Sequence, residues 1–155
     1  ITAILLCFYW YKNNILINNF KNIKFKNNAF MIFGILSAIF LLIHSILLGL
    51  ETDIKIFKFL RRVVLLSFII FEIIAQTLLV VNFYKLKIEL KNYLNLNILK
   101  LKILLVSVLV FLAIISIPFL ITGGNVHFKH GLEWNYFVGV ISFYLLTHFF
   151  WKKRA

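Results

Sequence analysis

The chain has 155 residues, of which 63% are hydrophobic and 14% charged, with 17 basic against 5 acidic side chains and a mean hydropathy of +0.98. A soluble domain carries about 25% charged residues, so this composition excludes an ordinary soluble enzyme and leaves room for a single membrane domain over 1–155. The net charge of +12 does not argue for nucleic acid as a partner, because the basic residues lie between apolar stretches, where Lys and Arg orient a membrane protein and attract anionic headgroups.

The chain opens on an apolar run, Ile1–Tyr11, of about half a spanning length. It has neither the basic start nor the small-residue cleavage site of a signal peptide. It is expected to be the C-terminal half of a helix whose beginning is missing, in a sequence that is a fragment. The lone Cys7 cannot form an intrachain disulfide and reads as a small packing residue. The following segment, Lys12–Asn28, carries four lysines and no acid, interleaved with Ile, Leu and Phe. A solvated loop and a helix lying in the membrane interface both fit it.

Ala29–Leu50 is the first full stretch long enough, at about 1.5 Å per residue, to cross a hydrocarbon layer of about 30 Å. Gly34, Ala38, Ser45 and Gly49 form a stripe on it along which a neighbouring backbone can approach. After the mixed-charge segment Glu51–Arg62, a second such stretch runs over Val63–Phe83 with Glu72 near its middle. A carboxylate there costs about 2.5–3.5 kcal/mol and must face other helices, be protonated or have a partner. Gln76, one turn on, shares its face. His44 lies on the preceding antiparallel helix within about a turn of the same depth, so His44, Glu72 and Gln76 are expected to form an intramembrane polar cluster. A polar clamp between helices is favoured over a proton or ligand site, because such pairs are common packing devices.

The basic segment Tyr84–Lys102 leads into a third full stretch, Ile103–Thr122, in which Pro118 is expected to kink or end the helix. The polar segment Gly123–Glu133 follows. His127, His130 and Glu133, spaced by three, would share a face if helical and could then bind a metal. No second ligand cluster accompanies them and Gly131 opposes a helix, so no metal is expected. With Trp134 they are read instead as an outer surface for headgroup contact, and Glu133 at the start of the next helix suits its dipole. Trp134–Trp151 gives about 27 Å of helix with an aromatic at each end. His44 lies near the outer face and His148 near the inner one, which argues against a paired haem site, and no cofactor is expected.

The predicted fold is therefore all-α: a polytopic transmembrane bundle of four full helices plus the truncated one. Twelve basic residues fall in the first and third connecting segments and the tail, against five in the other two. That asymmetry predicts a cytoplasmic C-terminus, and a complete protein with both ends inside would have six helices.

In its last helix the chain resembles the DRAM/FRAG/SFK family of six-helix membrane proteins. The resemblance rests on a loop His followed by Glu133-Trp134 and on Phe143-Tyr144-Leu145-Leu146-Thr147, with echoes in Gly34-Ile35-Leu36-Ser37-Ala38 and Gln76-Thr77-Leu78. It implies a non-enzymatic protein concerned with lipid organisation, trafficking or membrane signalling, with membrane lipids and a membrane protein as partners. The rival expectation is a membrane enzyme or proton-coupled carrier using Glu72 and His44.

Overall fold

A computed structural model describes residues 1–20, 28–50, 55–121 and 126–152, with side chains for all of these except 20, 117–121 and 126–130. The described residues form five helices: α1 (Thr2–Phe20), α2 (Ala29–Gly49), α3 (Lys55–Lys85), α4 (Leu96–Ile121) and α5 (Val126–His148). They divide into two compact units, Ile1–Leu79 and Val80–Ala155, with the boundary inside α3.

Among the described residues three helices are long and apolar enough to cross a membrane: Ala29–Gly49, Lys55–Lys85 and the Leu96–Ser116 part of α4. These spans suggest a membrane protein. The fourth expected crossing does not meet the same standard, because Glu133, Trp134 and Asn135 at one end of α5 and Thr147 and His148 at the other dilute its apolar middle. Hydroxyl groups on the apolar helices are absorbed locally. Ser45, Ser67, Thr77 and Ser107 each donate to the carbonyl four residues earlier, at 2.7–3.0 Å, as polar groups must where no water is at hand.

Several helix ends differ from expectation. α1 does not stop at Tyr11 but continues to Phe20. Asn13, Asn14 and Ile17 fall on the same buried face as Leu6 and Trp10, and the Asn13 amide donates to the Tyr9 carbonyl at 2.8 Å. The rest of the expected interfacial segment, 21–27, lies outside the described residues. α3 starts eight residues before Val63 and takes Lys55, Lys58, Arg61 and Arg62 into helix. α4 starts at Leu96 rather than Ile103 because Asn95 caps it, its Oδ1 accepting from Asn97 N at 3.1 Å. α4 runs on past Pro118 to Ile121.

In the first unit α1 packs on α2 through Trp10, which is fully buried and fills the notch left by Gly34. Of the small-residue stripe only Gly34 and Ala38 are buried. Ser45 and Gly49 are exposed, and among the described residues nothing lies within 4 Å of where a Cβ on Gly49 would be. Phe71 of α3 stacks on both Phe33 and Phe40 of α2, at 5.9 and 5.4 Å between centroids.

In the second unit α4 and α5 run antiparallel. Lys102 meets Thr147, Leu109 sits against Gly139, and Ser116 meets Tyr136 at 3.0 Å. The buried residues Leu99, Lys102, Val106 and Leu109 face Tyr136, Val140, Phe143 and Phe150, and their alternating spacing of three and four is the seam of a two-helix coil. The α3–α4 connector turns inward with Leu86, Leu90 and Leu94, all buried. The C-terminal segment straps onto it through one antiparallel bridge, Leu94 with Trp151, made by Asn95 N to Phe150 O and Lys152 N to Tyr93 O, both 2.9 Å.

Candidate functional site

Among the described residues the buried acid is Glu72, in the first unit, and the buried base is Lys102, in the second. The first centre, Glu72, is fully buried on α3. Its partner across the helix interface is Ser37, not His44. Ser37 Oγ lies 2.5 Å from Glu72 Oε2 and 2.8 Å from the Gly34 carbonyl oxygen, and Gln76 Nε2 donates to Glu72 Oε1 at 3.0 Å. Ser37 has a single proton for two neighbours. The hydroxyl donates to Glu72 Oε2 and is shared with the Gly34 carbonyl, a three-centre arrangement with both acceptors in hydrogen-bonding distance.

His44 is seven residues beyond Ser37, about 10 Å along the same face of α2. It is half-buried, and its Nδ1 makes no hydrogen bond among the described residues. The expected cluster is thus Glu72 and Gln76 joined by Ser37, with His44 left out. Gln76 is itself fully buried and its Oε1 makes no hydrogen bond among the described residues. Cys7, on α1, is a half-buried free thiol.

The second centre is Lys102, read from sequence as the last residue of a loop and found 1% exposed in the α4–α5 seam. Its ammonium lies 4.1 Å from the Phe143 ring centre and 4.9 Å from that of Phe150. It donates to Thr147 Oγ1 at 2.7 Å, and Thr147 passes its own proton to the Phe143 carbonyl at 3.1 Å. Ring faces and one hydroxyl stand where a carboxylate would usually be, an arrangement in which cation–π attraction is strengthened by desolvation. The signal in the sequence was the spacing Leu99, Lys102, Val106, Leu109 behind a capping Asn95, which puts Lys102 on the apolar seam.

The outer surface is less complete. Trp134 is 67% exposed with its ring edge-on to Phe137, and Glu133 is half-buried. The side chains of His127 and His130 lie outside the described residues. Because α5 begins at Val126, Glu133 stands in its second turn and not at its start, so the dipole account of that residue fails. Likewise Gly131 lies within the helix. Among the described residues no three His, Cys, Asp or Glu side chains are grouped to hold a metal. Of the residues carrying the family resemblance, Phe143 and Thr147 surround Lys102, while Gly34 and Ser37 serve Trp10 and Glu72. Comparison with protein-family models, curated proteins and solved structures finds no match for the chain.

Proposed function

We propose that the chain is a non-enzymatic, multi-pass membrane protein acting in lipid organisation, trafficking or membrane signalling through contacts with lipids and a membrane protein partner. The observation that carries this reading is apolar surface facing outward. Only 22% of the apolar window is buried in α2 and in α4, against 50% in α3, and Ile39, Leu42, Ile46, Leu104, Phe111 and Ile114 are all exposed. Soluble monomers rarely leave such continuous apolar faces open, whereas lipid covers them at no cost.

α5 belongs to the same membrane domain in this proposal. It follows α4 from Lys102 to Ser116, so if α4 crosses, α5 crosses beside it. The Leu94–Trp151 bridge supports placing the α3–α4 connector and the C-terminal segment on one side, and their lysines make that side the cytoplasm. Cysteines introduced singly in place of Tyr93 and Lys152 are expected to react with an impermeant maleimide only after the cell membrane is opened. Labelling of either one in intact cells refutes this orientation.

In this reading Glu72, Ser37 and Gln76 hold α2 to α3. The second reading, a proton-coupled carrier or membrane enzyme, is favoured by a carboxyl buried between apolar helices and by Gln76 Oε1 beside it, which makes no hydrogen bond among the described residues, though no longer by His44. Glu72→Gln keeps a hydrogen-bonding group and separates the two. A clamp predicts that it unfolds in detergent within about 1 kcal/mol of wild type while Glu72→Ala loses about 1–3 kcal/mol. A proton site predicts a folded Glu72→Gln protein that no longer moves protons in a reconstituted vesicle in which wild type does.

A further inference from the structure

Outside the seam, α4 and α5 leave an open-sided groove of about 430 Å³, lined by Leu101, Leu104 and Val108 on one side and Ser142, Leu145 and Phe149 on the other. On each side the positions are i, i+3 and i+7, with Phe149 just past the end of α5, and on α4 they make one continuous face about 10 Å long. The volume falls within the roughly 300–1,000 Å³ of small-molecule sites. Its lining is mainly apolar, and the Ser142 hydroxyl donates its proton to the Val138 carbonyl at 2.8 Å and so has none to give an anionic group.

One end of this groove is basic. Lys100 is exposed one turn before Leu104 on the same stripe of α4. Lys152 is exposed three residues past Phe149, and its Nζ donates to the Lys91 carbonyl at 3.0 Å, which gathers a third exposed lysine into the same corner. Lys85 ends α3 and Lys87 follows it in the connector, which also carries the exposed acid Glu89. An occupant must therefore be apolar for about 10 Å and negatively charged at one end. A second copy of this chain with the same membrane orientation would bring its own lysines to that end, where like charges repel.

We propose that the α4–α5 groove is a binding site for one anionic phospholipid, with an acyl chain against Leu104, Val108 and Leu145 and its phosphate between Lys100 and Lys152. The site deepens the proposed function by naming its ligand class and rests on α4 and α5 crossing the bilayer together.

The test titrates the purified full chain in detergent micelles with phosphatidylglycerol and, separately, phosphatidylcholine of identical acyl chains, counting bound lipid by native mass spectrometry. Wild type is expected to prefer phosphatidylglycerol by at least about tenfold, as two lysines near a headgroup imply. The surface double variant Lys100→Gln/Lys152→Gln should bring the two lipids to near-equal affinity, and Val108→Trp, which fills the groove from its exposed side, should remove the bound lipid with the helical circular dichroism unchanged. Equal binding of both lipids by wild type, or undiminished phosphatidylglycerol binding by a folded Val108→Trp protein, overturns the site while leaving the membrane reading intact. A chain that alkaline carbonate strips from membranes overturns the membrane reading, and the site with it.

Discussion

Gly34→Val is expected to separate α1 from α2 and to cost more stability than any other single methyl-scale change in the first unit. Even the one carbon of alanine would lie 2.3–2.5 Å from three carbons of the Trp10 ring system. Real Cβ atoms do not come that close, and the obstacle is a rigid ring that is itself fully buried. Overpacking costs roughly 1–3 kcal/mol, and valine adds two further methyl groups in the same confined place. The contact matters because lipid tails are as apolar as the helix surfaces, so helices hold together by close packing rather than by escape from water. Trp10→Ala empties the notch from the other side and should cost about 3–5 kcal/mol. The two sites touch, so their effects should not add: Gly34→Ala in a Trp10→Leu background ought to be much milder than in wild type. Unfolding by sodium dodecyl sulfate in mixed micelles, followed by circular dichroism, measures all five variants, the Trp10→Leu background included. A Gly34→Ala protein within about 0.5 kcal/mol of wild type, the scatter of ordinary surface changes, would sink the packing account.

Lys102→Glu is expected to be the most damaging change in the second unit. It would set a carboxylate against the negative faces of Phe143 and Phe150 and take the donor from Thr147 Oγ1, so that an uncompensated charge is buried, at about 3–5 kcal/mol. Lys102→Ala keeps the seam apolar but leaves a cavity and loses the cation–π contacts, a loss of about 2–4 kcal/mol. Lys102→Met is the informative member of the series. It keeps the length of the side chain and discards its charge, and exchanging a buried charge for an apolar side chain of similar volume is often neutral or stabilising. A stable Lys102→Met protein would mean that the lysine is retained for pairing register or for function. If methionine instead proved as damaging as alanine, the ammonium and its ring contacts would be a net source of stability. The same micelle unfolding assay ranks the three.

The residues differ in how far each could be read ahead. Glu72 stood out because an acid amid apolar residues is conspicuous at any resolution of reading, and its face, shared with Gln76, follows from helix geometry alone. Its partner did not follow. Ser37 and His44 lie on the same side of α2, two turns apart, and a few ångströms of axial shift between helices decides which of them meets the carboxyl. Lys102 was hidden for a different reason. Lysine at the edge of an apolar run normally marks where the run ends, and only the Phe143 and Phe150 rings of another helix turn it into a buried residue. α1, α3 and α4 each extend beyond the apolar stretch that predicts them, because charged residues and asparagine are accommodated within a helix turn as well as at its end. Asparagine caps α4 at Asn95 but is carried inside α1 at Asn13, where its amide finds a carbonyl one turn back.

By itself the order of apolar and polar residues determined that the chain is helical, that α2, α3 and α4 are apolar enough for a membrane, and that the acid within α3 must face other helices, be protonated or have a partner. Each of these depends on local spacing and on the cost of bare polar groups. Which side chains meet, that α5 lies along α4 despite its weaker hydrophobicity, and that a lysine is caged by two rings were decided only in three dimensions. Those outcomes depend on the register and approach of helices distant in sequence, which local spacing does not encode.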